Sequence, residues 1–218
     1  MNSAVIQLLV LAGIAIFLIL RLKNVLGTRE GFEKPPAVSK PNGAARGKFE
    51  VIEGGPDRDI TDHAKEGSKE ALALAAMKAA EPDFNVSEFL GGARGAYEMI
   101  LVAFEHGKME DIRDFLSEEV FETFSEVVAA REKQGLNIEA KFVGVRELSL
   151  IKAKFNKTTK LGEVTVRFVG EMTSVVRDKS DKIIEGNPDE VKRQKDIWTF
   201  ARKMGANDPN WQLVATGE

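Results

Sequence analysis

The sequence predicts an α+β domain, with helices laid across one face of a bent antiparallel sheet, behind an N-terminal apolar segment. Three observations predict it. Apolar residues recur at helical spacing as far as Gly135 and alternate with polar ones after it. Helical segments come first and strand segments second, with turn residues between the strands. The residues from Ala4 to Leu20 stand apart from both halves, with Gln7 their one polar side chain and no charge.

That run is about 25 Å long as a helix, the low end of a membrane span. Leu22, Val25 and Leu26 can extend it while Arg21 and Lys23 reach back to the headgroups. A secretory signal would carry a basic start and a small-residue cleavage site, whereas here Met-Asn-Ser precedes the run and Arg-Leu-Lys follows it. A mitochondrial presequence would be amphipathic and Arg-rich, and this run is apolar all round. Residues 1–27 are therefore expected to form an uncleaved transmembrane anchor. Between Arg21 and Lys48 there are seven basic residues and two acidic ones, which predicts an outside N-terminus and a cytoplasmic domain. The same charge would draw the chain towards anionic lipid, at about 1 kcal/mol per basic residue near the surface.

Residues 28–64 are rich in Gly and Pro with no sustained apolar period, and are expected to be a flexible linker. The domain then spans 65–218. The segment 49–218 carries a net charge of −8, which makes it a poor nucleic-acid binder. The chain has no cysteine and two histidines, His63 and His106, so disulfides, thiol catalysis and cysteine- or histidine-based metal sites are not expected; no cofactor is expected either.

Within the domain, "KEALALAAMKAA" from Lys69 to Ala80 reads as a helix with a small apolar face of Leu72, Ala75, Ala76 and Ala79. A second helix begins at Asn85 as N-cap, with Glu88 at N3 and Phe84 and Phe89 placed as a hydrophobic staple. Phe89, Leu90, Ala93, Tyr97, Ile100, Leu101 and Phe104 form its apolar stripe, and Gly107 ends it. Gly91, Gly92 and Gly95 inside it would each cost about 1 kcal/mol, so a close backbone approach is expected there. A short helix follows over Met109–Leu116. Ser117 then caps a third long helix that buries Val120, Phe121, Phe124, Val127 and Val128 and ends at Gly135.

Beyond Gly135, "LNIEAKFVGVRELSLIKAKF" alternates and then carries apolar residues on both parities, which predicts a bulge near Gly144. "GEVTVRFVGEMTSVV" sets Val164, Val166, Phe168, Gly170 and Met172 on one face. Turns at Asp178–Asp181 and Asn187–Pro188 lead to a strand with Trp198 and Phe200 on one parity. "WQLVAT" forms the last strand. Four strands bent around the helices would make a cone with an apolar mouth.

The segments "FLGGARGAYEMILVAFEHGKMEDIRDFLSEEVFETF", "VRFVGEMTSVVRD", "DIWTFAR" and "DPNWQLVAT", with "TREGFEKPP" after the anchor, together resemble the Tim44-like domain family. The likeness covers nearly the whole chain in order and extends to the membrane-anchored alphaproteobacterial proteins of TimA type. It implies a cone of the nuclear-transport-factor-like (cystatin-like) kind at the bacterial inner membrane. It also implies contact with anionic lipid and a role near a translocon, insertase, chaperone or ribosome. An anchor is expected here in place of the long N-terminal segment through which the mitochondrial adaptor is thought to contact its chaperone, so chaperone recruitment is not expected to carry over.

Tyr97, Phe168, Asp196, Trp198, Arg202 and Trp211 are the candidates for a cavity or partner site, because an open cone would be lined by them. The plainer reading is a core of aromatic rings, with Asp196 and Arg202 forming an ion pair or satisfying turn ends on the sheet. Arg21, Lys23, Lys65, Lys69 and Lys78 are candidates for lipid headgroups, against the plainer reading of a solvated face. His106 before Gly107 reads as a cation at a helix C-terminus. No His-Asp or paired-carboxylate spacing points to catalysis. The favoured function is a membrane-anchored, non-catalytic adaptor. A membrane-tethered lipid or small-ligand carrier comes second and an enzyme of the cone fold third.

Overall fold

The structure, a computed structural model, describes residues 56–217, and the expected anchor with Arg21 and Lys23 lies outside them. No helix among the described residues is long and apolar enough to cross a membrane. The helices are α1 (Arg58–Thr61), α2 (Lys69–Ala80), α3 (Val86–Glu105) and α4 (Glu118–Gln134), with a 3-10 helix at Met109–Phe115 before α4. The strands are β1 (Asn137–Asn156), β2 (Leu161–Arg177), β3 (Ile183–Gly186), β4 (Lys192–Lys203) and β5 (Gln212–Gly217).

Helix ends fall where their caps are. Asn85 accepts from the Glu88 amide at 2.8 Å, and Phe84 and Phe89 sit with ring centroids 6.4 Å apart as the staple requires. Ser117 caps α4 through the Val120 amide. Gly107 and Gly135, both with φ near +70°, turn the chain out of α3 and α4.

The strands form one antiparallel sheet in the order β1-β2-β4-β5, and β3 pairs with the far end of β2. The expected four strands are thus joined by a fifth. Ile183–Gly186 is only one short strand between two turns, too brief for its alternation to show in sequence. The predicted bulge is present, with register shifts between Phe142 and Gly144, Val145 and Glu147, and Leu150 and Lys152. Each shift bends β1 and takes its outer edge out of register for a further strand. Helices α2 and α3 pack on β1. The core lies between them and the inner face of the sheet, where Val164, Val166 and Phe168 of β2 meet Trp198 and Phe200 of β4.

Three expectations need correction. Helix α2 buries Ala71, Leu74 and Met77, while Leu72 is 65% exposed. With alanines all round the helix, the face carrying Leu74 and Met77 removes more apolar area from water than Leu72 with small neighbours. Gly91, Gly92 and Gly95 face away from the stripe, and a Cβ on any of them would meet nothing within 4 Å among the described residues. Nothing there explains their cost. Finally, the expected linker runs to residue 64, yet Arg58–Thr61 is helical and buries Ile60 against the core.

Candidate functional site

Six residues were singled out for a cavity, and the fold separates them into two groups. Tyr97, Phe168 and Trp198 form a continuous stack in the core. Tyr97 lies flat on Phe168, with centroids 4.4 Å apart and planes within 5°. Trp198 tilts against Tyr97 at 4.7 Å. All three rings are buried.

Helix α3 delivers Tyr97 to this point because its apolar stripe faces the sheet, and β2 receives it at Gly170. A Cβ at Gly170 would lie 2.6 Å from the Tyr97 oxygen, so glycine here admits the ring. The phenol donates to Asp196 Oδ2 at 2.5 Å, and Gln194 Nε2 donates to Oδ1 at 3.1 Å. Asp196 is the one charged residue among the described ones that is buried in the core, and a buried carboxylate is stable only when its lone pairs are engaged. Burial, with the hydrogen bond to Asp196 adding to it, pushes the Tyr97 hydroxyl above its ordinary range. Tyr97 therefore stays a neutral donor at physiological pH, which suits an orienting role and not proton transfer.

Arg202 and Trp211 form the second group, at the other end of β4. Asp196 and Arg202 are not paired: six residues of strand separate them by roughly 20 Å, and each has its own partners. Arg202 pairs with Glu81, the C-cap of α2, and its guanidinium lies 5.3 Å from the Trp211 ring centre. Glu81 also accepts from the Gly205 amide at 2.7 Å. Burial raises the Glu81 carboxyl, but the Gly205 amide and Arg202 outweigh it and hold the group below its usual range. Trp211 packs on Phe89 at 4.6 Å and on Phe84 at 5.8 Å. This group ties the end of α2 and the start of α3 to the β4–β5 turn.

Of the lipid candidates that are described, Lys65 and Lys69 are exposed. Lys78 is not free for a headgroup, since its ammonium is 2.7 Å from both Asp57 and Asp59. His63 lies 3.0 Å from the Ser87 hydroxyl. His106 caps α3 and lines a surface hollow of about 390 Å³ with Ile138, Ala140, Val175 and Pro188. A second, more polar hollow of about 610 Å³ is lined by Arg113, Asp114, Glu118 and Asn210 among others. Sequence reasoning missed Glu81, Gln194 and Asp59. Only Glu81, an acidic residue at the end of α2, carried a local signal; Asp59 reaches α3 from 27 positions away.

The human mitochondrial import inner membrane translocase subunit TIM44 is 20% identical over 137 residues, which are 62% of this chain and 30% of that protein. The chain thus spans under a third of that relative's length. The solved intermembrane space region of the chloroplast protein ARC6 is similar at a TM-score of 0.37 and 12% identity, covering 66% of this chain and 94% of that one. A likeness that loose bears on neither fold nor function. The Tim44-like domain family matches residues 70–218, from the first turn of α2 through the aromatic stack to the last strand. The chain belongs to the Tim44-like domain family.

Proposed function

We propose that the chain is a membrane-anchored, non-catalytic adaptor of the TimA type. Its domain would stand at the cytoplasmic face of the bacterial inner membrane, N-terminus outside, and serve protein translocation, insertion or the assembly of membrane complexes. The observation that carries this reading is the family match over residues 70–218, together with a curated relative whose name makes it a subunit of an inner-membrane translocase. The sheet, bent at three shifts along β1, is compatible with the nuclear-transport-factor-like cone. The carrier reading is disfavoured, because Tyr97, Phe168 and Trp198 fill one another's space. A partner, whether a translocon, insertase, chaperone or ribosome component, would meet the outside of the domain. Anionic lipid would meet Lys65 and Lys69, which are exposed.

Anchoring is tested by alkaline extraction of membranes from cells making the full chain, followed by protease treatment of inside-out vesicles. The chain is expected to stay in the pellet, and the domain is expected to be digested from the cytoplasmic side. Release into the alkaline supernatant would rule out the anchor at Ala4–Leu20.

A further inference from the structure

The residues just ahead of the family match are held to the domain by a contact that is mostly polar. Asp59 Oδ2 accepts from the Val86 amide at 2.7 Å, and Oδ1 accepts from the Ser87 amide and the Ser87 hydroxyl, each at 2.9 Å. With Asn85 taking the Glu88 amide, these bonds satisfy three donors that the first turn of α3 leaves open. Lys78 of α2 closes the contact from the other side by pairing with Asp57 and Asp59. Because the Ser87 hydroxyl donates to Asp59, it accepts from His63 Nε2, 3.0 Å away. Ile60 is the apolar pin of the segment. Gly67, exposed and at φ +73°, follows this segment as the turn into α2.

We infer that residues 57–63 are a detachable strap, hinged at Gly67, that sets how far the N-terminal linker holds the domain from its point of attachment. Closed, the strap holds Asp57 at Lys78 of α2 and Asp59 at the first turn of α3. Open, it adds about ten residues to the linker and extends its reach by roughly 30 Å. Opening breaks the bonds of Asp59 and the pairing with Lys78 and exposes Ile60 at the edge of the core, a sub-global opening that leaves the sheet paired. The family match begins at residue 70, so the strap lies outside the shared domain. The effect on reach rests on the tethered reading above, whereas the opening itself is a property of this chain alone.

Hydrogen exchange with mass spectrometry on the full chain tests the strap whether or not the anchor spans a membrane. In the wild type, peptides over 58–66 are expected to exchange at least tenfold faster than peptides over 164–172 and 196–201, yet slower than an unstructured segment. Asp59→Ala is expected to remove that protection at least tenfold while the sheet peptides stay within twofold. Lys78→Met, which keeps the three bonds from Val86 and Ser87, is expected to fall between. Equal exchange of strap and sheet in the wild type, a matched loss in both for Asp59→Ala, or an unchanged strap would each overturn the inference.

Discussion

Phe168→Ala is expected to cost the domain about 4 kcal/mol, the range for a fully buried aromatic truncated in a packed core. Phe168 is the middle of the stack: Tyr97 lies on it, while Trp198 and Phe200 meet it edge-on with centroids 5.9 and 6.5 Å away. Truncation leaves a void bounded by rings that cannot all close on it. Tyr97 is fixed by its bond to Asp196, and Trp198 belongs to the paired strand β4. For a domain of this size the loss corresponds to roughly 10 °C in Tm. Urea unfolding followed by tryptophan fluorescence measures it, since Trp198 reports from inside the stack. A cost below about 1 kcal/mol would mean that the rings repack and that the core is not specified as described.

Gly170→Val is expected to cost about 3 kcal/mol, by overpacking and not by a void. Its Cβ would stand 2.6 Å from Tyr97 Oη and 2.9 Å from Cε1. The ring must then slide on Phe168 and weaken a hydrogen bond to a buried carboxylate, a bond worth more than a neutral one. A double-mutant cycle isolates the contact. In a Tyr97→Ala background the same Gly170→Val change is expected to cost at least 1.5 kcal/mol less, a coupling of the size seen for touching residues. Additive costs would show that Gly170 serves the strand and not the ring.

These contacts explain what could be read from the sequence. Asn85, Ser117, Gly107 and Gly135 act on residues within a turn of themselves, so their caps were legible from spacing alone. The alternation from Val164 to Met172 was legible because one face of β2 is buried throughout. The orientation of α2 was not, because Leu and Ala occur on every side of it. The bond from Tyr97 to Asp196 spans 99 positions, and the contact of Asp59 with Ser87 spans 28. No local period encodes either. Arg202 and Asp196 share a strand parity, which suggested a common site, yet the strand is long enough to give each a separate partner. A parity places a side chain on a face and leaves its distance along that face open.

The separation has a functional consequence. Tyr97, Phe168 and Trp198 hold the domain together, and under the proposed function a partner would meet the surface. The adaptor reading is therefore best tested from outside the core. A photo-crosslinking amino acid placed at Val143 of β1 and at Val191 before β4, both exposed, would report neighbours of the full chain in cells. Adducts with components of a translocation or insertion machine, absent when the same group replaces buried Leu74, are the predicted result. Adducts with lipid alone at both surface positions, or no adducts despite full incorporation, would contradict the adaptor reading.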